Sequence, residues 1–137
     1  MKVNIRKAKY SDKNQILKLV EKLYSRSAPQ TVKDWKNYYK KSIKSTLVAE
    51  RNKEIVAYIY YSVRKNSIYI ADLYVLQKCR RNGLATKLIK KVENLKKKLK
   101  KKHLTVNNRK KDKPAFKLYK NLGFKIYSNK ESLKLRK

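Results

Sequence analysis

Asp72-Leu73-Tyr74-Val75-Leu76-Gln77-Lys78-Cys79-Arg80-Arg81-Asn82-Gly83-Leu84-Ala85-Thr86-Lys87-Leu88-Ile89 changes character twice. It begins as a strand, passes through a short basic loop and ends as a helix with apolar residues at helical spacing. A helix N-terminus offers backbone N–H groups without intrahelical partners and a partial positive charge. Gly83 stands there, and a residue without a side chain lets the backbone approach a phosphate closely. Strand, loop and helix together read as a seat for a pyrophosphate. Its donors are the backbone N–H groups of Arg81, Asn82, Gly83, Leu84, Ala85 and Thr86, with charge from Arg80 and Arg81. The spacing is neither Gly-x-Gly-x-x-Gly nor a glycine-rich run closed by Lys-Ser or Lys-Thr. The competing reading is a plain strand–helix corner turned on a glycine.

Downstream, Leu84, Ala85, Leu88, Ile89, Val92, Leu95 and Leu99 share one helical face, and lysines hold the other. The lysine run 96–102 ends the helix, where cations suit the carbonyl end of the dipole. A short strand follows at 103–107. It opens with His103, the chain's only histidine, which offers neither a triad nor a metal site. After a basic loop, Pro114 suits a first helical turn. Ala115, Leu118, Tyr119 and Leu122 then recur at i, i+3, i+4 and i+7, and Gly123 closes the helix as a left-handed cap. Residues 124–127 and 132–136 read as terminal strands.

Upstream, 3–8 is a first strand. Ser11 and Asp12 offer N-cap oxygens with Gln15 three residues after Asp12. An apolar face of Ile16, Leu17, Leu19, Val20, Leu23 and Tyr24 forms the first helix, which ends between Ser25 and Pro29. A second helix begins at Thr31 and carries Val32, Trp35, Tyr38, Tyr39 and Ile43. A three-stranded meander spans 46–51, 54–64 and 67–75, with turns at Asn52-Lys53 and Lys65-Asn66. Its third strand is apolar on both faces and therefore central.

The 137 residues suffice for one domain, 1–137, with one core. No stretch approaches a membrane span, and the N-terminus lacks the apolar run of a signal peptide. A lone cysteine, Cys79, fits a reducing cytoplasm. The chain carries 40 Lys and Arg against 9 Asp and Glu, a formal charge of +31. A coding bias toward Lys, Asn, Ile and Tyr accounts for many lysines but not for the shortage of glutamate. The other account is a polyanionic neighbour: nucleic acid, the ribosome or an acidic surface.

Arg80-x-x-Gly83-x-Ala85, after an aliphatic–Tyr–Val strand end, resembles the acetyl-coenzyme A loop of the GNAT superfamily of N-acetyltransferases. The doubled arginine and final alanine look most like its protein N-terminal branch. Ala115-x-x-Leu118-Tyr119-x-x-x-Gly123-Phe124 resembles that family's second signature. The chain has two glycines, and both fall where these motifs require one. The resemblance covers essentially the whole chain. It implies an α/β fold: a mixed central sheet with helices on both faces, in the order strand, two helices, meander, helix, strand, helix, strands.

It further implies acetyl transfer from acetyl-coenzyme A, as co-substrate, to a primary amine: a protein N-terminus, a lysine or a small molecule. In that family a backbone N–H near Leu73, Tyr74 or Val75 polarises the thioester carbonyl, and Tyr119 protonates the departing thiolate. Asp72 is the best carboxylate available to deprotonate the ammonium, directly or through water, although the glutamate often found before it is Ala71 here. The helix pair walls the acceptor groove, which brings Tyr24, Trp35 and the loop 25–31 into consideration. Asp112 stands where the family has an asparagine that reaches the pantetheine arm, so Asn107 and Asn108 are alternatives. Tyr119 and Asp72 each have a plain structural reading, as a core aromatic and as a hydrogen-bond acceptor. The other class of function is a basic nucleic-acid-binding module on a degenerate acetyltransferase scaffold.

Overall fold

The computed structural model describes residues 2–24, 27–130 and 132–137. Ser25 and Arg26, in the acceptor-side loop, lie outside the described residues. The elements are β1 Asn4–Lys7, α1 Lys13–Tyr24, α2 Pro29–Asn37, α3 Tyr39–Ser42, β2 Thr46–Arg51, β3 Glu54–Val63, β4 Ser67–Val75, α4 Leu84–Lys98, β5 His103–Asn108, α5 Lys113–Asn121, β6 Lys125–Ser128 and β7 Leu133–Arg136. The strands form a seven-stranded mixed sheet in the order β1-β2-β3-β4-β5-β7-β6. β4 is its middle strand, as its two apolar faces imply. The chain divides into two compact units, Met1–Tyr60 with Asp72–Leu88, and Tyr61–Ala71 with Ile89–Lys137.

In the first unit, β1 pairs antiparallel with β2 and β2 with β3. Asn52 and Lys53 turn the β2–β3 hairpin at φ 50° and 64°, the left-handed pair of a tight hairpin loop. The core gathers Ile16, Leu19 and Val20 of α1, Val32 and Trp35 of α2, Tyr39, and Val48, Ile55 and Tyr58 of the strands. Each such side chain stabilises the fold by roughly 1.5–3 kcal/mol through burial. Arg6 locks the N-terminal strand, donating to both Asp12 oxygens at 2.8 and 3.0 Å and to both Glu50 oxygens at 3.2 and 3.3 Å. Arg6 holds the Asp12 carboxyl below the usual range.

Three local readings change in this unit. The expected second helix is two helices, because the backbone leaves helical geometry at Tyr38 (φ −114°, ψ 26°) and turns that ring into water. It also starts two residues early, with Pro29 in the first turn. Gln15 does not close a capping box. Its Oε1 accepts the Ile55 N–H at 2.8 Å and so pins α1 to the start of β3.

In the second unit β4 and β5 run parallel, Ser67–Ile70 against His103–Val106. β5 pairs antiparallel with β7, and β7 with β6. Ile68, Ile70, Leu104, Val106 and Leu135 are buried. α4 ends one residue before Leu99, which is exposed rather than part of the apolar face. The Lys101 N–H bonds Lys96 O and the Lys100 N–H bonds Lys97 O, a Schellman cap with a lysine at φ 56° in the left-handed position. β5 runs one residue past its expected end and buries Asn108.

Candidate active site

The loop from β4 to α4 lies wholly in the first unit. A 3₁₀ turn over Gln77–Cys79 buries Cys79, which closes that thiol to solvent. Arg80 turns back, its Nε donating to Val75 O at 2.9 Å and its guanidinium 5.4 Å from the Tyr74 ring centre. Arg80 thus braces the loop against the end of β4. Arg81 at φ 67° and Gly83 at φ 76° are both left-handed, the conformation from which anion-holding backbone concavities are built. The carbonyl of Gly83 accepts the first helical bond, from the Lys87 N–H at 3.0 Å. Gly83 is therefore the N-cap, and it brings no side-chain oxygen to occupy the N–H groups of Leu84, Ala85 and Thr86. A Cβ built on Gly83 would meet nothing within 4 Å. Arg81, Asn82 and Gly83 are exposed, whereas Leu84 is buried and anchors the helix. A bare helix start, two left-handed residues and an exposed arginine fit a pyrophosphate.

Asp72, also in this unit, is 5% exposed. Its Oδ1 accepts the Tyr24 hydroxyl at 2.5 Å. Its Oδ2 accepts the Trp35 Nε1–H at 3.0 Å and the Tyr58 hydroxyl at 2.8 Å. Burial pushes the carboxyl up, and the bonds from Tyr24, Tyr58 and Trp35 pull it down. Burial, then the Asp72 charge, raise Tyr58. The carboxylate is enclosed and both oxygens are engaged, so Asp72 stands in the structure as a hydrogen-bond acceptor, and a path from it to an ammonium runs through a neighbouring group. Tyr24 is the half-buried member of the cluster, and Trp35 is core. Nothing in the sequence links Tyr58 to Asp72, because a tyrosine on a buried strand is ordinary. Leu73 and Tyr74 are half-buried and Val75 is buried.

The other predicted residues lie in the second unit. Asp112 is the N-cap of α5, its Oδ1 accepting the Ala115 N–H at 3.1 Å. The buried Asn108 directs its amide to the carbonyls of Arg109 and Asp112 at 3.0 and 3.2 Å. Asn107 is exposed. Tyr119 is 6% exposed and packs edge-on to Phe124, ring centres 5.4 Å apart. Burial, then the charge of Asp112, raise its hydroxyl. Gly123 caps α5 at φ 95°, with the Gly123 and Phe124 N–H groups on Lys120 O and Tyr119 O at 3.0 Å each. The second glycine is thus a Schellman cap that fixes the Tyr119 turn against Phe124.

A model of the acetyltransferase (GNAT) domain matches residues 8–133. No curated protein matches the chain. Among solved structures, the PaiA N-acetyltransferase of Thermoplasma acidophilum in complex with coenzyme A is 16% identical, with a TM-score of 0.83 over 100% of this chain and 99% of that one. Arabidopsis thaliana Naa50, in complex with the bisubstrate analogue CoA-Ac-MVNAL, is 19% identical, with a TM-score of 0.82 over 100% and 99%. AAC(6')-Iy, in complex with the bisubstrate analogue CoA-S-monomethyl-acetylneamine, is 13% identical, with a TM-score of 0.83 over 95% of each chain.

Proposed function

This chain belongs to the GNAT acetyltransferases, and from that premise we propose that its acceptor is the α-amine of a neutral or acidic peptide. The enzyme is an acetyl-coenzyme A-dependent N-acetyltransferase. When bound, acetyl-coenzyme A supplies the activated acetyl group and a thiolate leaving group. The Leu84, Ala85 and Thr86 N–H groups, with Arg81, hold the phosphates. Arg80 keeps the loop on β4. A backbone N–H within Leu73, Tyr74 and Val75 polarises the carbonyl. The ammonium gives its proton to the Tyr24 oxygen as the Tyr24 hydroxyl proton passes to Asp72 Oδ1. Asp72 is then a base through Tyr24, and its burial favours the protonated form. The freed amine bonds to the carbonyl carbon as the C–S bond breaks. Tyr119, held protonated by its raised pKa, donates to the departing sulfur and regains a proton as the new amide nitrogen gives up its second one.

One observation carries the choice of acceptor. Naa50 and AAC(6')-Iy were solved with very different acceptor analogues, so the fold alone does not choose. At +31 the protein field repels polycations. Only local carboxylates reverse that, and three of those in the first unit are engaged. Glu50 holds Arg6 at 3.2 Å, Glu54 holds Lys78 at 3.1 Å, and Asp72 is enclosed. Acidic and neutral peptides should therefore exceed spermidine and aminoglycosides in initial rate at low salt. The gap should narrow as the Debye length falls from ~10 Å at 0.1 M to ~3 Å at 1 M salt. A mass-spectrometric acetylation screen across that range tests this. A polyamine acetylated faster than every peptide throughout would overturn the peptide reading.

A further inference from the structure

We propose that the exposed face of the β5-β7-β6 ribbon in the second unit binds single-stranded nucleic acid, stacking a base on Tyr127 and holding phosphates with Lys125, Lys134 and Arg136. The register builds this face. Arg136 pairs with Thr105 on one side and with Lys125 on the other, and Lys134 pairs with Asn107. Directly paired residues share a face of the sheet, so these side chains stand together, while Val106, Leu135 and Ile126 take the opposite side. The register shifts between Ile126 and Ser128, which leaves Tyr127 in a bulge. The Arg136 guanidinium lies 5.1 Å from the centre of the Tyr127 ring, which puts that ring on the cationic face. Lys125, Lys134, Arg136 and Asn107 are exposed, and Tyr127 is 45% exposed. Beside it opens a cleft of about 390 Å³ lined by His103, Lys125, Tyr127, Arg136 and Lys137 among others.

Charge selects the occupant. This unit holds only three of the nine acidic residues, Glu93, Asp112 and Glu131, against about half of the 40 cations. Glu93 is taken by Lys137 at 2.8 Å, and Asp112 by its helix cap. The cations of the ribbon face therefore lack carboxylate partners among the described residues, and a phosphate chain would relieve their mutual repulsion. Lysines at the edge of a sheet also guard against strand pairing. That role gives no reason to expose Tyr127 on the terminal strand β6. A tyrosine beside an arginine on an exposed sheet face is the arrangement that stacks unpaired bases, whose π-faces are hidden in a duplex. The inference does not depend on acetyl transfer.

Fluorescence anisotropy with labelled oligo(U) and oligo(dT) of ~12 nucleotides, and with a duplex of equal phosphate count, tests it. Tyr127→Ala should weaken single-strand binding ~5- to 100-fold, and Tyr127→Phe should bind as wild type does. Lys134→Ala and Arg136→Ala should each lower the slope of log affinity against log salt by ~0.7. Circular dichroism checks that each variant is folded. A folded Tyr127→Ala that binds as wild type does, or a duplex bound as tightly as the single strands, would mean non-specific attraction by the whole basic surface, and the proposal fails.

Discussion

Two of the loops that lead a strand into a helix are basic. Residues 80–83 enter α4 and residues 109–112 enter α5. At the first, the N-cap is Gly83, which has no oxygen to offer the helix. At the second it is Asp112, whose carboxylate takes the Ala115 N–H while Asn108 ties up two loop carbonyls. The second loop is satisfied from within. The first leaves its helix start for a ligand. The proposed anion seat thus coincides with the helix start that lacks a side-chain cap, and positive charge nearby does not by itself distinguish the two loops. The residue expected to reach the pantetheine arm, Asp112, is held in that cap, and its charge also helps to raise Tyr119.

The largest expected effect comes from closing the open loop. Gly83→Val should abolish coenzyme A binding in a calorimetric titration while the protein stays folded. The added Cβ meets nothing within 4 Å, but φ 76° is strained for a β-branched residue and the side chain would stand in the phosphate approach. Unchanged affinity would remove the pyrophosphate seat from the account. Next is Tyr119→Phe, which should lower turnover ~10² to 10⁴-fold with little change in coenzyme A affinity. Turnover within a few-fold of wild type would make Tyr119 a packing residue. Opening the self-satisfied loop is milder. Asp112→Ala should cost about 1 kcal/mol in denaturant unfolding, the usual loss of an N-cap. If stability is unchanged, Asp112 does not act as a cap. The smallest effect is at the far end of α4, where Lys100→Gly should stabilise the fold by up to ~1 kcal/mol by relieving a left-handed lysine.

The sequence by itself determined the order of elements and the place of the open loop. Hydrophobic period and glycine position act over a few residues, so the β2 and β4 boundaries, the β3 strand to within one residue, Gly83 and Gly123 were legible in the chain. Even the Asn52-Lys53 turn follows from local backbone preference. What the chain could not disclose lies in contacts between distant residues. Gln15 reads as a capping partner because its neighbours suggest a cap, but Ile55 claims it from 40 residues away. Asp72 reads either as the best available base or as a hydrogen-bond acceptor, because the chain does not show which donors reach it. Tyr24 and Trp35, 48 and 37 residues distant, reach it only when α1 and α2 pack. The break at Tyr38 is likewise silent, since Trp35, Tyr38 and Tyr39 all suit one helical stripe. Local chemistry decided which backbone would form, and tertiary packing decided which polar groups were left free to act. A hydrogen bond depends on position in space, and spacing along the chain constrains that only within an element.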